Sequence, residues 1–262
     1  MDFLLSAAGR SRSRSTGPAA QALGRTILEA VEATRLVVRT NTNLGMILLL
    51  TPLAAVDPAI DLESGVRRVL AATTVEDARL VYRAIRRAIP GGLGRAAEQD
   101  VADEPTVTLR EAMALAAERD LVARQYADGF PQVLREAVPS LNESLRRGQP
   151  LETAIIACFL NLLARHPDSL IVRKRGLEQA AAVSARAAAV LDAGWPDTAA
   201  GRERCQRLDD WLRSEGNTLN PGTTADLVTA ALFAALREDT IPLPRGPGPA
   251  GWCETLTPTC DS

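Results

Sequence analysis

An all-α fold, a single compact multi-helix domain whose polar inter-helix loops form the site, is predicted by three features of this sequence. Apolar residues make up 46% of the 262 residues but aromatics only 3%, so the core is built mainly from Ala, Leu and Val, which suit closely packed helices. Apolar positions recur at three- and four-residue spacing over long stretches. Strand-period alternation of useful length is missing, and no internal repeat is visible. A chain of this length can bury a substantial core.

Taken in order, Leu23, Ile27, Val31 and Val38 mark one amphipathic helix over Pro18 to Arg39. Leu44 to Val56 is the longest apolar run, about thirteen residues including Pro52, too short to span a bilayer and read as a buried core helix. Thr74, Glu76 and Asp77 open a helix with carboxylates at the positive end of its dipole, and Pro90 and Gly91 stop it after Ile89. Thr108 and Glu111 have capping-box spacing and start a helix continuing to about Ala127. Gly148 and Pro150 punctuate the next boundary. Leu151 to Arg165 is apolar on most faces, the mark of an enclosed helix. Gly176, Gly194 and Gly216 stand where helices end in a left-handed residue, which divides Asp168 to Ser214 into one short and two longer helices. After Pro221 a last helix spans Thr223 to Glu238. Residues 1–17 are read as a flexible N-terminal segment, 18–240 as the helical domain and 241–262, with PRGPGPAG, as a flexible tail.

Composition excludes several functions. Thirty basic against 32 acidic residues give a net charge of −2, and few aromatics are present for base stacking, so no nucleic-acid or membrane partner is expected. Four dispersed cysteines and a single histidine, His166, do not make a zinc site. Reduced thiols and the absence of a leader pattern read as a cytoplasmic protein.

Five loops are richer in Asn, Gly, Asp and Arg than connectors require: RTNTNLG (39–45), PGGLG (90–94), RD with QYADGF (119–130), HPDSLIVRK (166–174) and GNTLNPGTTADL (216–227). Each has a local explanation. Asn41 or Asn43 caps a helix, Gly91 ends one, Asp168 caps a short one, and Thr223 with Asp226 has a capping-box-like arrangement. Together they supply what a polyphosphate needs: helix starts and Gly turns offering N–H groups, cationic side chains, and carboxylates for a divalent ion. PGGLG lacks the GK[ST] of a P-loop, and no strand leads into a G-x-G-x-x-G.

In this order and at these separations, RTNTNLG, PGGLG, RDLVARQYADGF, HPDSLIVRKRG and GNTLNPGTTADL resemble the triphosphoribosyl-dephospho-CoA synthase family, over about Phe3 to Arg237. NTNLG and LNPGTTADL are the most specific pieces. The resemblance implies an all-α transferase that uses ATP as a ribosyl donor. The 2′-hydroxyl of dephospho-CoA displaces adenine, giving the prosthetic-group precursor of the acyl-carrier subunit of citrate lyase or malonate decarboxylase. It also implies a Lys-Pro-Gly-Asn-like polar motif ahead of the point where Met1-Asp2-Phe3 enters. Two other readings stay open: a related transferase with a different acceptor, and a non-catalytic helical binding protein.

Such a reaction needs an acid, a base and a charge clamp. By residue type and loop position, Asp120, Asp168, Asp226 and His166 are the catalytic candidates. Asp100, Asp120 and Asp226 are candidates for holding Mg²⁺. Arg119, Arg173 and Lys174 suit the triphosphate, with Gly91, Gly92 and Gly94 allowing close backbone approach. Asn41, Asn43, Asn217 and Asn220 suit ribose hydroxyls or the adenine edge. His166 also reads as a helix-entry residue, and Tyr126 as a core residue rather than a stacking one.

Overall fold

The computed structural model describes residues 23–37, 43–88, 98–214, 216 and 218–241. Among them are twelve α-helices and no strand. They are α1 (Leu23–Val37), α2 (Leu44–Ala54), α3 (Leu62–Ala71), α4 (Val75–Ala88), α5 (Leu109–Ala116), α6 (Leu121–Asp128), α7 (Val138–Arg146), α8 (Leu151–Arg165), α9 (Ser169–Arg175), α10 (Leu177–Asp192), α11 (Ala199–Arg213) and α12 (Gly222–Arg237). A π-helical segment, Gln132–Ala137, leads into α7.

The main hydrophobic cluster joins α1 to α8 and α12 around Ile27, Leu49, Leu53, Tyr126, Phe130 and Leu141. A smaller one, around Leu163, Ile171, Val183 and Leu208, joins α8 to α11. Tyr126 is fully buried and donates to the Leu48 carbonyl at 2.6 Å, so its polar end is spent inside the core. No single described helix is long and apolar enough to cross a membrane.

Local signals built most of these helices. Thr108 and Glu111 form the full capping box. Asp77, 1% exposed, closes a similar arrangement with Thr74 and also accepts from the Gly24 N–H at 2.9 Å, binding the start of α4 to that of α1. A Cβ on Gly24 would lie 2.7 Å from the Asp77 Cα, so only glycine permits this approach. Gly176, Gly194 and Gly216 all have positive φ, as their positions suggest.

Three departures from the sequence reading follow from local chemistry. The expected helix from Thr108 to Ala127 is two helices, because Asp120 turns its carboxylate onto the N–H groups of Val122 and Ala123 and starts α6 anew. Helix α3 starts at Asp61, whose side chain accepts from Ser64, and buries Leu62, Val66 and Leu70, a pattern short enough to pass as a connector. In the first turn of α7, Pro139 has no N–H to give and its ring crowds the preceding turn, and that turn is π-helical, the wider form that absorbs the misfit.

Candidate active site

A cavity of about 1040 Å³ lies where α1, α2, α4, α5, α6, α9 and α12 meet the segment around Asp100. Its apolar lining includes Val31, Met46, Ile85, Met113 and Val122, and its polar lining Asn43, Arg119, Asp120, Arg173, Lys174, Asn220 and Asp226.

The polar lining is organised by a fully buried carboxylate. Asp168 caps α9 through the N–H groups of Leu170 (2.9 Å) and Ile171 (3.2 Å) with Oδ1. Its Oδ2 accepts from both the N–H (2.7 Å) and the hydroxyl (2.8 Å) of Thr224 on α12. Burial pushes this carboxyl above its ordinary range, and the hydrogen bonds from Thr224, Ile171 and Leu170 pull it back down. A second link runs from the Leu121 N–H to the Ser169 hydroxyl (3.3 Å) and on to Thr223 Oγ1 (3.1 Å). The starts of α6, α9 and α12 are thereby held together.

That junction sets three side chains on the cavity. Asp120, while capping α6, accepts from Arg173 Nη1 at 2.6 Å, which binds α6 to α9. Both side chains remain partly exposed, at 22% and 26%. Asp226, one helical turn into α12, packs against the backbone of Gly45: a Cβ there would stand 1.9 Å from Asp226 Oδ2. No hydrogen bond to the Asp226 carboxylate is found among the described residues. Burial, then the charges of Asp168 and Asp120, push Asp226 up to about 7, against the opposing charge of Arg173.

On the α2 side, Asn43 occupies the N-cap position without a side-chain cap bond. Leu44, Gly45 and Met46 follow it along the cavity wall. The lining also holds Tyr82 of α4, which the sequence reading did not single out. Its hydroxyl donates to the Gln99 carbonyl at 2.6 Å. Burial and the charge of Asp100 raise the Tyr82 phenol, with Arg119 acting in the opposite sense. Gln99 has a φ of 49°, rare for a residue with a side chain. It is secured by paired hydrogen bonds to Thr106, both 3.0 Å. Only the way this loop folds over α4 brings Tyr82 to the cavity, and no local motif announces it.

Of the residues singled out in the sequence, Asn43, Asp100, Arg119, Asp120, Arg173, Lys174, Asn220 and Asp226 line this one cavity. Asp168 stands behind the wall with its oxygens occupied. His166 ends α8 with its ring nitrogen Nε2 2.9 Å from Glu136, and it is not among the lining residues. Asn41, Gly91, Gly92, Gly94 and Asn217 lie outside the described residues. Asp100, Asp120 and Asp226 share the cavity but do not converge: among the described residues no three of His, Cys, Asp or Glu are grouped to hold a metal. The Thr223–Asp226 capping arrangement does not form, since the N-terminus of α12 takes its carboxylate from Asp168.

A crystal structure from Archaeoglobus fulgidus, described as a triphosphoribosyl-dephospho-CoA synthase, superposes with a TM-score of 0.66 at 27% identity, covering 91% of this chain and 95% of that one. Relatives described as 2-(5''-triphosphoribosyl)-3'-dephosphocoenzyme-A synthases are 35% identical in Stutzerimonas stutzeri and 38% identical in a Pseudomonas fluorescens strain, each over 114 residues. Those matches cover 43% and 42% of this chain but only 39% and 38% of the relatives, so the matched region spans about two fifths of their length. The model of the ATP:dephospho-CoA triphosphoribosyl transferase family matches residues 2–244, nearly the whole chain, and the protein belongs to that family.

Proposed function

We propose that this chain transfers the triphosphoribosyl group of ATP to the 2′-hydroxyl of dephospho-CoA. The observation that carries the reading is the cavity whose lining brings Arg119, Arg173 and Lys174 together with Asp226 and with apolar residues such as Met113. Family membership supplies the substrate pair.

In this reaction the acceptor's 2′-oxygen bonds to C1′ of the ATP ribose as the bond from C1′ to adenine breaks. The bonding electrons leave with adenine, which takes up a proton, and the triphosphate stays on the ribose. The ribose gains positive charge as the bond lengthens.

Asp226 is the group we assign to take the hydroxyl proton. A carboxyl held near neutrality is ionised often enough to act and basic enough to accept, the matching general-base catalysis requires. Its position is set by Gly45 on one side and by the Asp168–Thr224 bonds on the other. Arg173, oriented by Asp120, and its neighbours Lys174 and Arg119 supply the charge that holds the triphosphate. The apolar lining at Met113 and Tyr82 suits a purine ring.

Mg²⁺ belongs in this reading to the ATP. The residues fit an ion that takes most of its ligands from phosphate and water and one from protein, with Asp100 as the wall carboxylate that would supply it. Its charge would offset the negative charge that the triphosphate carries throughout.

The test is incubation with ATP, Mg²⁺ and dephospho-CoA, following adenine by chromatography and the product by mass spectrometry. Acceptor-dependent adenine release in step with a triphosphoribosyl adduct is expected. Adenine release that ignores dephospho-CoA, or no release, sinks the assignment.

A further inference from the structure

Thr34 and Asn43 form a fixed pair on the cavity wall that the chemistry above leaves unused. Thr34 lies on α1, 7% exposed, and its hydroxyl donates to the Ala30 carbonyl one turn back at 2.9 Å. A threonine hydroxyl has one hydrogen, and this bond takes it. Toward Asn43, 3.2 Å away, Oγ1 therefore accepts, and the atom facing it is the amide nitrogen Nδ2. Hydrogen count thus settles a carboxamide orientation that shape alone leaves open.

Two consequences follow. The Asn43 side chain is turned off the start of α2, although asparagine at that position ordinarily caps. Its Oδ1, on the opposite side of the carboxamide from Nδ2, has no hydrogen-bond partner among the described residues, and Asn43 lines the cavity. Asn43 also lies two residues before Gly45, whose backbone touches the Asp226 carboxylate. The acceptor and the Asp226 contact thus belong to one short stretch of chain on the cavity, on a different element from Tyr82 and Met113.

We propose that Asn43, held by Thr34, accepts a hydrogen bond from a hydroxyl of the donor's ribose and so selects ribonucleotides over deoxynucleotides. Thr34 is the positioning residue of the pair. The inference rests on the reading of this cavity as the nucleotide site.

Calorimetric Kd values for ATP, 2′-deoxy-ATP and 3′-deoxy-ATP, measured on the wild type, Thr34→Val and Thr34→Ser, test it. The wild type is expected to bind ATP about tenfold or more tighter than at least one deoxy analogue, the scale of one lost hydrogen bond with its partner left unpaired. Thr34→Val keeps the shape without the hydroxyl and should bring that ratio close to one, while Thr34→Ser should keep it. Each ratio is taken within one protein, so a general weakening of the fold cancels. A wild-type ratio near one for both analogues, or an unchanged ratio in Thr34→Val, overturns the proposal and leaves the nucleotide site standing. Failure of the wild type to bind ATP overturns both.

Discussion

Gly45 and Asp226 are in direct contact: the carboxylate on α12 occupies the volume that a side chain on α2 would fill, 1.9 Å from the ideal Cβ position. A backbone thus serves as the wall against which an ionisable group is set. A side chain at position 45 would have to displace the Asp226 carboxylate, which the α2–α12 contact sets on the cavity.

Gly45→Ala is therefore expected to displace Asp226 and cut kcat about 100-fold, the cost of misplacing a reacting group by about an ångström. Circular dichroism should show unchanged helix content. Activity within a factor of three of wild type would mean that the position of Asp226 is not critical.

Asp226→Asn should abolish turnover while the protein still melts cooperatively. Its effect on stability has a defined sign. The folded-state value of about 7 stands above the ordinary 3.8, so the folded chain binds this proton more tightly than the unfolded one. That contribution is complete below about pH 4 and is lost as pH rises through 7. Asparagine removes the titration, so at pH 8 the variant should melt at least about 2 °C above wild type, an advantage that shrinks toward pH 5. Equal melting temperatures at pH 8 would show that Asp226 carries no such penalty.

Removing Asp168 acts in the other direction. Asp168→Ala leaves the N–H groups of Leu170, Ile171 and Thr224 without their acceptor in a buried place. A loss of about 3 kcal/mol or more is expected, read as a shifted midpoint in urea unfolding. A loss below about 1 kcal/mol would argue against its role in joining α9 to α12.

Arg173→Met should weaken ATP binding about tenfold or more while changing stability by less than about 1 kcal/mol, because the Asp120 pair it breaks is partly exposed. Calorimetry and thermal melts separate the two effects. Unchanged ATP affinity would remove Arg173 from the triphosphate clamp.

His166→Gln is expected to retain activity within about twofold of wild type, as the ring pairs with Glu136 away from the cavity. A drop beyond tenfold, with the fold intact, would restore histidine to the reaction.

The sequence by itself determined the helices, because their signals act over three or four residues: the Thr108–Glu111 box, the stops at Gly176 and Gly194, the apolar stripe through Ile27 and Val31. It also marked polar loops beyond the needs of capping, and Asn43, Arg119, Asp120, Arg173, Lys174, Asn220 and Asp226 from four of them meet at one cavity. What each of their carboxylates does was decided only by tertiary structure. Asp168 and Asp226 are both aspartates of polar loops at helix starts, and nothing local separates them. Thr224, 56 residues from Asp168 in sequence, brings two donors to Asp168 and fixes it as a joint, while Gly45 lets α2 come close enough to hold Asp226 at the cavity. The His166 ring is likewise paired with Glu136, and the Tyr82 hydroxyl with the carbonyl of Gln99, by packing that no local signal announces. Helix formation is governed by neighbours along the chain, whereas the charge and reach of a side chain depend on which distant groups the packing brings against it.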